Sequence, residues 1–438
     1  MALKEGAMLW LKRSGSLPLK LSLDTNDTWS IVALYQESIL KRDIKDPYSD
    51  FMHAIATQSR RWQCLWLFLL PPPIFQPFRT LTTKDLPLLE TVVESTSLLD
   101  VADSHRSLDP DSPILSVFQQ SPALRTLFTE LVGESDIERM PPRWSQLTTL
   151  QIEFTYPTDG FDALQRLSRF CPSLHECTLI LYTDLEDPVS NLIPSREWTC
   201  LQKLNLLFTG RLGGAYDSEI RRTFTAVTTP ALIHLSVAIS YTNHASEPNA
   251  DYIAAMENDV PFHILVEQSH CELLSLDIQI LLPQTFSKTL HILPQLNLLT
   301  IRRLTLGHTP SNEDLYRTEQ FNIAVQALTP PRSCVVCPKL EQIRFMNLVP
   351  HQALSLLTLV NARVPHTDLK RLSATFGMLS QADIEILKSA QRQARARELC
   401  GVGIEWEFAR ESGESLCFPR YVSAGQTPIT CQSEVLVA

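Results

Sequence analysis

The sequence contains little glycine, and it lacks the motifs that glycine builds. Only 13 of its 438 residues are glycine. They form neither the GxGxxG fingerprint of dinucleotide sites nor the Walker loop that cradles phosphates, and the densest stretch, 210–214, predicts a turn. The Gly-x-Ser-x-Gly and His-Glu-x-x-His motifs of hydrolases are missing as well. We therefore predict a protein that is not an enzyme and binds no cofactor.

Basic residues and long apolar runs are also scarce. The chain has 38 lysines and arginines against 48 aspartates and glutamates, a net charge of -10, which disfavours binding to nucleic acid. Its most apolar run, 64–70, stops at Pro71 and is far too short to span a bilayer. The first residues do not read as a signal peptide. We predict a cytoplasmic or nuclear protein that does not bind membranes.

The cysteines and histidines do not form a metal-ligand pattern. Cys334 and Cys337 have the spacing of a metal or redox pair, but a zinc site would need a second pair at similar spacing. His263, His270 and Cys271 lie close together but lead directly into a predicted strand. The ten cysteines are scattered, which suits a reducing compartment better than a disulfide framework. We predict no metal site.

The most prominent feature of the chain is a recurring phrase, Pro-x-Leu-x-x-Leu, followed by alternating apolar residues. The first leucine of each copy, with or without the proline, stands at 89, 124, 147, 174, 201, 232, 273, 296 and 340, so that successive copies are 23 to 44 residues apart. The shorter spacings match a leucine-rich repeat of ~20–29 residues, and the longer ones match that unit with insertions. Short helical stretches at 161–170 and 219–227 separate some of the copies. Strand, return helix and strand is the order of a parallel sheet.

These patterns predict an α/β leucine-rich-repeat solenoid, with parallel strands on its concave face, short helices outside and an α-helical C-terminal cap. We assign 1–16 to the end of a truncated N-terminal helix, 17–350 to the repeat array, 351–410 to the capping segment and 411–438 to a loose tail. Within the cap, Leu369, Leu372, Phe376 and Leu379 predict one helix, 382–399 a second and 401–406 a final short strand. Polar insertions at 240–258 and 306–322 are predicted to loop off the edge of the array.

The polar residues that alternate with the leucines are the candidate functional residues. They face the inner curve of the predicted array, where solenoids hold their partners, and their mixture of charges and amides favours a protein partner. The predicted contact residues are Gln151, Glu153, Lys203, Asn205, His234, Asp277, Gln279, Arg302 and Arg344.

The chain resembles the fungal (basidiomycete-type) F-box proteins with degenerate leucine-rich repeats. The resemblance is carried by segment 10–21, by Arg61, Trp62 and Leu65, by the Pro-x-Leu phrases at 171, 229 and 337, and by segment 401–406; it covers about residues 8–408. Such a family implies a ubiquitin-ligase substrate receptor, in which an F-box binds a Skp-type adaptor and cullin while the repeats hold a protein substrate. The chain departs from the family in having no Leu-Pro-x-Glu F-box helix.

Two alternatives remain open from the sequence. The first is a free-standing leucine-rich-repeat scaffold that is unrelated to ubiquitin. The second is an enzyme whose site is dispersed along the chain and therefore forms no motif. A helix pair within 28–60 that binds the adaptor would favour the receptor over the scaffold, and a deep pocket with convergent titratable groups would favour the enzyme.

Overall fold

The computed structural model describes most of the predicted array. The described residues are 2–24, 49–68, 77–78, 80–95, 117–131, 137, 142–157, 159–183, 196–210, 214–241, 262–280, 282, 286–302, 310–329, 336–363, 368–376, 386, 389 and 403–408.

The chain forms a mixed α/β structure around one large parallel sheet. Among the described residues, thirteen strands hydrogen-bond in the order of the sequence, and every neighbouring pair is parallel. They are β1 (Leu19–Asp24), β2 (Trp62–Phe68), β3 (Thr91–Ser95), β4 (Thr126–Leu131), β5 (Thr149–Pro157), β6 (Glu176–Thr183), β8 (Lys203–Gly210), β10 (His234–Tyr241), β11 (Ser275–Gln279), β12 (Leu298–Arg302), β13 (Gln342–Leu348), β14 (Arg371–Phe376) and β15 (Gly403–Phe408). Two short strands, β7 (Arg196–Glu197) and β9 (Val227–Thr228), pair separately.

Helices connect many of the strands, as parallel pairing requires. Within the described residues, no helix is both long and apolar enough to cross a membrane. The α-helices are α1 (Ala2–Arg13), α2 (Ser49–Ala56), α3 (Gly160–Phe170), α4 (Gly214–Thr225), α5 (His263–Ser269), α6 (Phe286–His291), α7 (Pro310–Leu328) and α8 (Ala353–Arg363). Short 3-10 helices cover Ser59–Arg61, Thr83–Asp85, Pro142–Gln146 and Pro350–Gln352.

The Pro-x-Leu phrase forms the same tight turn before successive strands. In each copy the N–H of the leucine donates to the carbonyl of the residue just before the proline, as from Leu174 to Cys171 at 3.2 Å and from Leu232 to Thr229 at 3.0 Å. Proline suits the second position of such a turn because its ring fixes φ near the required value. The same bond forms at leucines 89, 124, 296 and 340. The proline of the phrase therefore sets the entry into the strand.

The leucines of the phrase make the core. All nine leading leucines predicted from the sequence are buried, with at most 1% of their surface exposed. The next apolar position of each copy lies in register from strand to strand, so that one buried row crosses the sheet. From β1 to β14 this row contains Leu21, Leu65, Val92, Leu127, Leu150, Cys177, Leu204, Leu235, Leu276, Leu299, Ile343 and Leu372.

The prediction of an α-helical cap after residue 350 is wrong in part. The residues predicted as a helix from Leu369 to Leu379 instead contain strand β14, in which Leu372, Ala374 and Phe376 are buried at every second position. Leu369 is buried as a further leading leucine, but Thr367 stands where the phrase has its proline, and the apolar spacing that follows also fits one face of a helix. Strand β15 extends the sheet further, and the final strand predicted at 401–406 overlaps it.

A second correction concerns the insertion at 306–322, which was predicted to be a polar loop. Helix α7 begins at Pro310 and continues to Leu328, and its second half buries Phe321, Ala324 and Leu328. Proline is favoured in the first turn of a helix because its missing N–H is not needed there. Helix α1 ends at Arg13, Gly15 follows it with a φ of 56°, and strand β1 begins at Leu19.

Several predictions fall on residues outside the described ranges. These are the tail 411–438, nearly all of the second cap helix at 382–399, and the insertion at 240–258 beyond Tyr241.

The buried side chain of Arg363 links helix α8 to the end of helix α7 and to the turn before β13. Its guanidinium is fully buried and donates to the carbonyl oxygens of Leu328 at 2.6 Å, Val336 at 2.7 Å and Cys337 at 3.2 Å. Leu328 is the last residue of α7, where helix carbonyls have no partner in the helix and carry partial negative charge. The arginine therefore caps this helix end from the next helix, α8.

Helices α3 and α4 approach closely at Gly160. A Cβ at this position would lie 2.6 Å from Thr223 Oγ1 and 2.9 Å from Leu181 Cδ1, which only glycine avoids. Beside it, Asp159 accepts from the N–H of Phe161 at 2.9 Å and forms a half-buried ion pair with Arg222 at 2.7 Å. The carboxylate thus caps α3 and links it to α4.

Candidate functional site

The side of the sheet opposite the buried leucines is the candidate site, and we call it the polar face. Strand register places its residues in three rows that run across the strands. The lower row contains Thr149, Glu176, Lys203, His234, Ser275, Leu298 and Gln342. The middle row contains Gln151, Thr178, Asn205, Ser236, Asp277, Thr300 and Arg344, and the upper row contains Glu130, Glu153, Ile180, Leu207, Ala238 and Gln279.

All nine residues predicted as partner contacts lie on the polar face. Lys203 and His234 are neighbours in the lower row. The middle row contains Gln151, Asn205, Asp277 and Arg344, and the upper row contains Glu153 and Gln279. Arg302 lies two residues after Thr300 on β12 and therefore on the same side of the sheet. His234 and Arg344 are exposed, Asn205 is buried, and the other six are half-buried. The alternation read from the sequence therefore assigned the correct side of each strand.

The structure also brings several of these residues into contact with one another. Arg302 binds Asp277 on the preceding strand through two nitrogens, with Nε 2.7 Å from Oδ1 and Nη2 2.5 Å from Oδ2. Asn205 Nδ2 donates to Thr178 Oγ1 at 2.8 Å. A bidentate arginine and carboxylate hold each other in one geometry, so this part of the face is rigid before any partner arrives.

Three titratable groups adjoin in the lower row. Lys203 Nζ lies 2.5 Å from Glu176 Oε1, and His234 is the neighbour of Lys203 on the next strand. Partial burial lowers the pKa of His234, and the nearby ammonium of Lys203 lowers it further, although Glu176 opposes this. The imidazole is therefore biased towards its neutral form, in which it offers one donor and one acceptor.

Apolar residues interrupt the polar face at several positions, and two groups of neighbouring ones were not predicted as contacts from the sequence. Trp66, Val93 and Phe128 stand side by side on β2, β3 and β4, in line with Gln151 of the middle row. All three are half-buried. Ile180 and Leu207, also half-buried, are neighbours in the upper row. These residues are spread over strands that carry apolar side chains at successive positions, so only register shows which of them face away from the core.

The C-terminal end of the face is rich in arginine. Arg344 is exposed on β13. When the Gln342 amide is oriented with its oxygen towards Arg344, this oxygen accepts from Nε and Nη2 of Arg344, each at 3.1 Å. Arg371 is the neighbour of Gln342 on β14. The arginines at this end of the face can donate hydrogen bonds to carboxylates or carbonyl groups of a partner.

The cysteine and histidine candidates take structural positions. Cys337 is buried in the turn before β13, where its Sγ donates to the carbonyl of Leu290 at 3.2 Å, and burial raises the pKa of its thiol to about 12. His270 ends α5 in a left-handed conformation with a φ of 49°. Cys334 lies outside the described residues. Among the residues that the structure describes, no three His, Cys, Asp or Glu side chains come together in a way that could hold a metal ion.

Comparison with known proteins does not assign the chain to a family. No family model matches it, and no curated protein matches it.

Proposed function

We propose that the chain is a leucine-rich-repeat solenoid that recognises a protein partner through the polar face of its sheet, without catalytic activity of its own. The recurring turn, the leading leucines and the parallel strands are the features that favour this architecture. The function is placed on the polar face because the opposite side of the strands is filled by the core.

The observation that carries the proposal is the composition of that face. One apolar patch is formed by Trp66 with Val93 and Phe128, and a second by Ile180 with Leu207, which lies beside the hydrogen-bonded side chains of Thr178 and Asn205. Binding energy in protein interfaces concentrates on a few aromatic and apolar anchors surrounded by polar residues. A surface whose polar groups are fixed in advance also loses less conformational entropy on binding.

We further propose, on the resemblance to F-box proteins, that the bound partner is a substrate delivered to a ubiquitin ligase in the cytoplasm or nucleus. This role requires association with a Skp-type adaptor and cullin, whereas a free-standing scaffold does not. Purification of the full chain from cells, followed by immunodetection of both proteins, separates the two roles. Recovery of adaptor and cullin supports the receptor role, and recovery of neither supports the scaffold.

The polar face itself is tested by substitutions on it. We expect Phe128→Glu to remove bound proteins from the full chain captured out of cell extract, because a carboxylate then replaces the apolar anchor. The matched control is Leu354→Glu, which introduces the same charge at an exposed leucine on helix α8. Quantitative mass spectrometry of the captured proteins should show partners that are lost with the first variant and kept with the second. Equal recovery with both variants would contradict the proposal.

A further inference from the structure

Exposed apolar side chains are concentrated at the N-terminal end of the sheet. Seven large hydrophobic residues are exposed in the described part of the chain, and four of them fall between Met8 and Leu17. Met8 is 39% exposed, Leu9 47%, Trp10 51% and Leu17 66%. Single exposed leucines are ordinary on protein surfaces, but a cluster of this kind marks an interaction site.

The turn that carries Leu17 is fixed in place. Leu17 N donates to Ser14 O at 3.1 Å, and Ser14 N donates to Trp10 O at 2.9 Å, which links Leu17 to the end of α1. Arg61 reaches across from the segment before β2, with Nε 3.0 Å from Leu17 O and Nη2 2.8 Å from Ser14 Oγ. Hydrogen bonds to its backbone therefore hold the exposed leucine in position.

Next to this turn lies one edge of the sheet. Strand β1 pairs with β2 on one side, and among the described residues no strand pairs with its other side. The outward N–H and C=O groups of an edge strand are a template for an additional strand. An extended peptide that adds to such an edge gains backbone hydrogen bonds as well as side-chain contacts.

The rim of this apolar cluster is basic, although the chain as a whole is acidic. Lys12, Arg13 and Lys20, which lie in the same stretch of the chain, are all exposed, while the net charge of the protein is -10. A second copy of the chain docked by a two-fold axis would bring the same basic rim against itself. Charge complementarity therefore favours an acidic partner over self-association.

We propose that this end of the protein, formed by Met8, Leu9, Trp10, Leu17 and the edge of β1 that pairs with no described strand, binds an extended, acidic segment of another protein that also carries apolar side chains. The segment adds to the sheet as a strand beside β1. Its apolar side chains cover Trp10 and Leu17, and its carboxylates meet Lys12 and Arg13. Lys20 is in line with the lower row of the polar face through Cys64, Thr91 and Thr126, so the site adjoins that face at the edge of the sheet, but it does not depend on the function proposed for that face.

The test uses a library of random decapeptides displayed on phage and selected on the full chain. We expect the selected peptides to combine acidic and apolar residues and to bind at least tenfold more weakly, by fluorescence anisotropy, to Trp10→Glu/Leu17→Glu and to Lys12→Glu/Arg13→Glu. Leu88→Glu/Leu354→Glu, made at two leucines that are each 44% exposed elsewhere, should bind as the wild type does. Hydrogen exchange of the amides of Leu19–Asp24 should slow when a selected peptide is bound.

Four results would overturn the proposal. The first is a selection that yields no peptides, basic peptides, or peptides whose affinity is the same for the patch variants and the control variant. The second is binding that leaves the exchange of the β1 amides unchanged. The third is a dimer, seen by sedimentation of the free chain, that Trp10→Glu dissociates. The fourth is binding to phosphatidylserine vesicles that the same variants abolish while peptide binding persists unchanged.

Discussion

Replacing Glu94 with leucine should make the stability of the protein less sensitive to alkaline pH. Glu94 lies on the core side of β3, where its neighbour on β2 is the buried Leu67. One carboxyl oxygen is within 3.4 Å of Thr129 Oγ1, and the other is buried without a hydrogen-bond partner. Burial raises the pKa of Glu94 from its ordinary value of 4.5 to about 8; Thr129 opposes the rise and Glu130 adds to it.

The direction of the pH effect follows from the two pKa values. Below pH 4.5 the carboxyl is protonated in both the folded and the unfolded chain, and its burial then costs only what a neutral polar group costs. Between pH 4.5 and about 8 the unfolded chain releases the proton while the folded chain keeps it, so that stability falls as pH rises. Each pH unit in this window corresponds to about 1.4 kcal/mol, which gives a total loss of about 3–5 kcal/mol above pH 8.

The assay is urea unfolding, followed by tryptophan fluorescence, at a series of pH values from 4 to 9. Glu94→Leu should be about 1 kcal/mol more stable than the wild type near pH 4, and the difference should grow to about 4–6 kcal/mol above pH 8. Glu90→Leu, which removes an exposed carboxylate just before the same strand, is the control and should follow the wild-type curve. A difference between wild type and Glu94→Leu that does not change with pH would refute the reasoning.

Three further sets of substitutions test the core register, the buried arginine and the helix contact, each by urea unfolding. Leu204→Asp should lower the free energy of unfolding by about 4 kcal/mol or more because it buries an unpaired charge, whereas Lys203→Asp on the polar face should cost only about 1–2 kcal/mol. Arg363→Met should cost about 3–4 kcal/mol because three carbonyl oxygens lose their donor inside the protein. Gly160→Ala should cost about 2–3 kcal/mol because its Cβ collides with the neighbouring helix, and adding Thr223→Ala should recover part of that loss.

Each of these predictions has a result that contradicts it. Equal losses at 203 and 204 would mean that the two sides of β8 are assigned wrongly. A stability of Arg363→Met equal to that of the wild type would show that the carbonyl oxygens find other donors. Strictly additive losses at Gly160 and Thr223 would show that these residues do not constrain each other.

The sequence predicted the strands best where a proline marked the turn before them. At Pro172, Pro230, Pro294 and Pro338 the phrase also marks where the strand begins. The proline fixes the turn, and the leucine that follows it, three residues after the carbonyl that accepts its N–H, enters the core. At Leu369 the same apolar spacing occurs without a proline, and the pattern was then equally compatible with one face of a helix. The copies at Leu147, Leu201 and Leu273 also lack the proline, but large apolar residues at every second position after them indicate a strand, whereas Ala374 weakens this alternation after Leu369.

The candidate site was predicted in outline but not in its contacts. Alternation along a strand is enough to place Lys203 or Asp277 on the polar face, since neighbouring positions are occupied by leucine or isoleucine. It does not reveal that Arg302 binds Asp277, because the chain between adjacent strands varies in length and register is set by tertiary structure. In β2, apolar residues fill both sides of the strand, so the outward position of Trp66 could be assigned only from its pairing with β3.

The most direct test of the polar face as a binding surface is site-specific photo-crosslinking in cells. A photoreactive amino acid is placed at His234, exposed on the polar face, and in a second sample at Glu319, exposed on helix α7. We predict that crosslinks to other proteins form from position 234 well above those from position 319, and that Phe128→Glu abolishes them. Equal crosslinking from the two positions, or crosslinks from 234 that survive this substitution, would contradict recognition through the polar face.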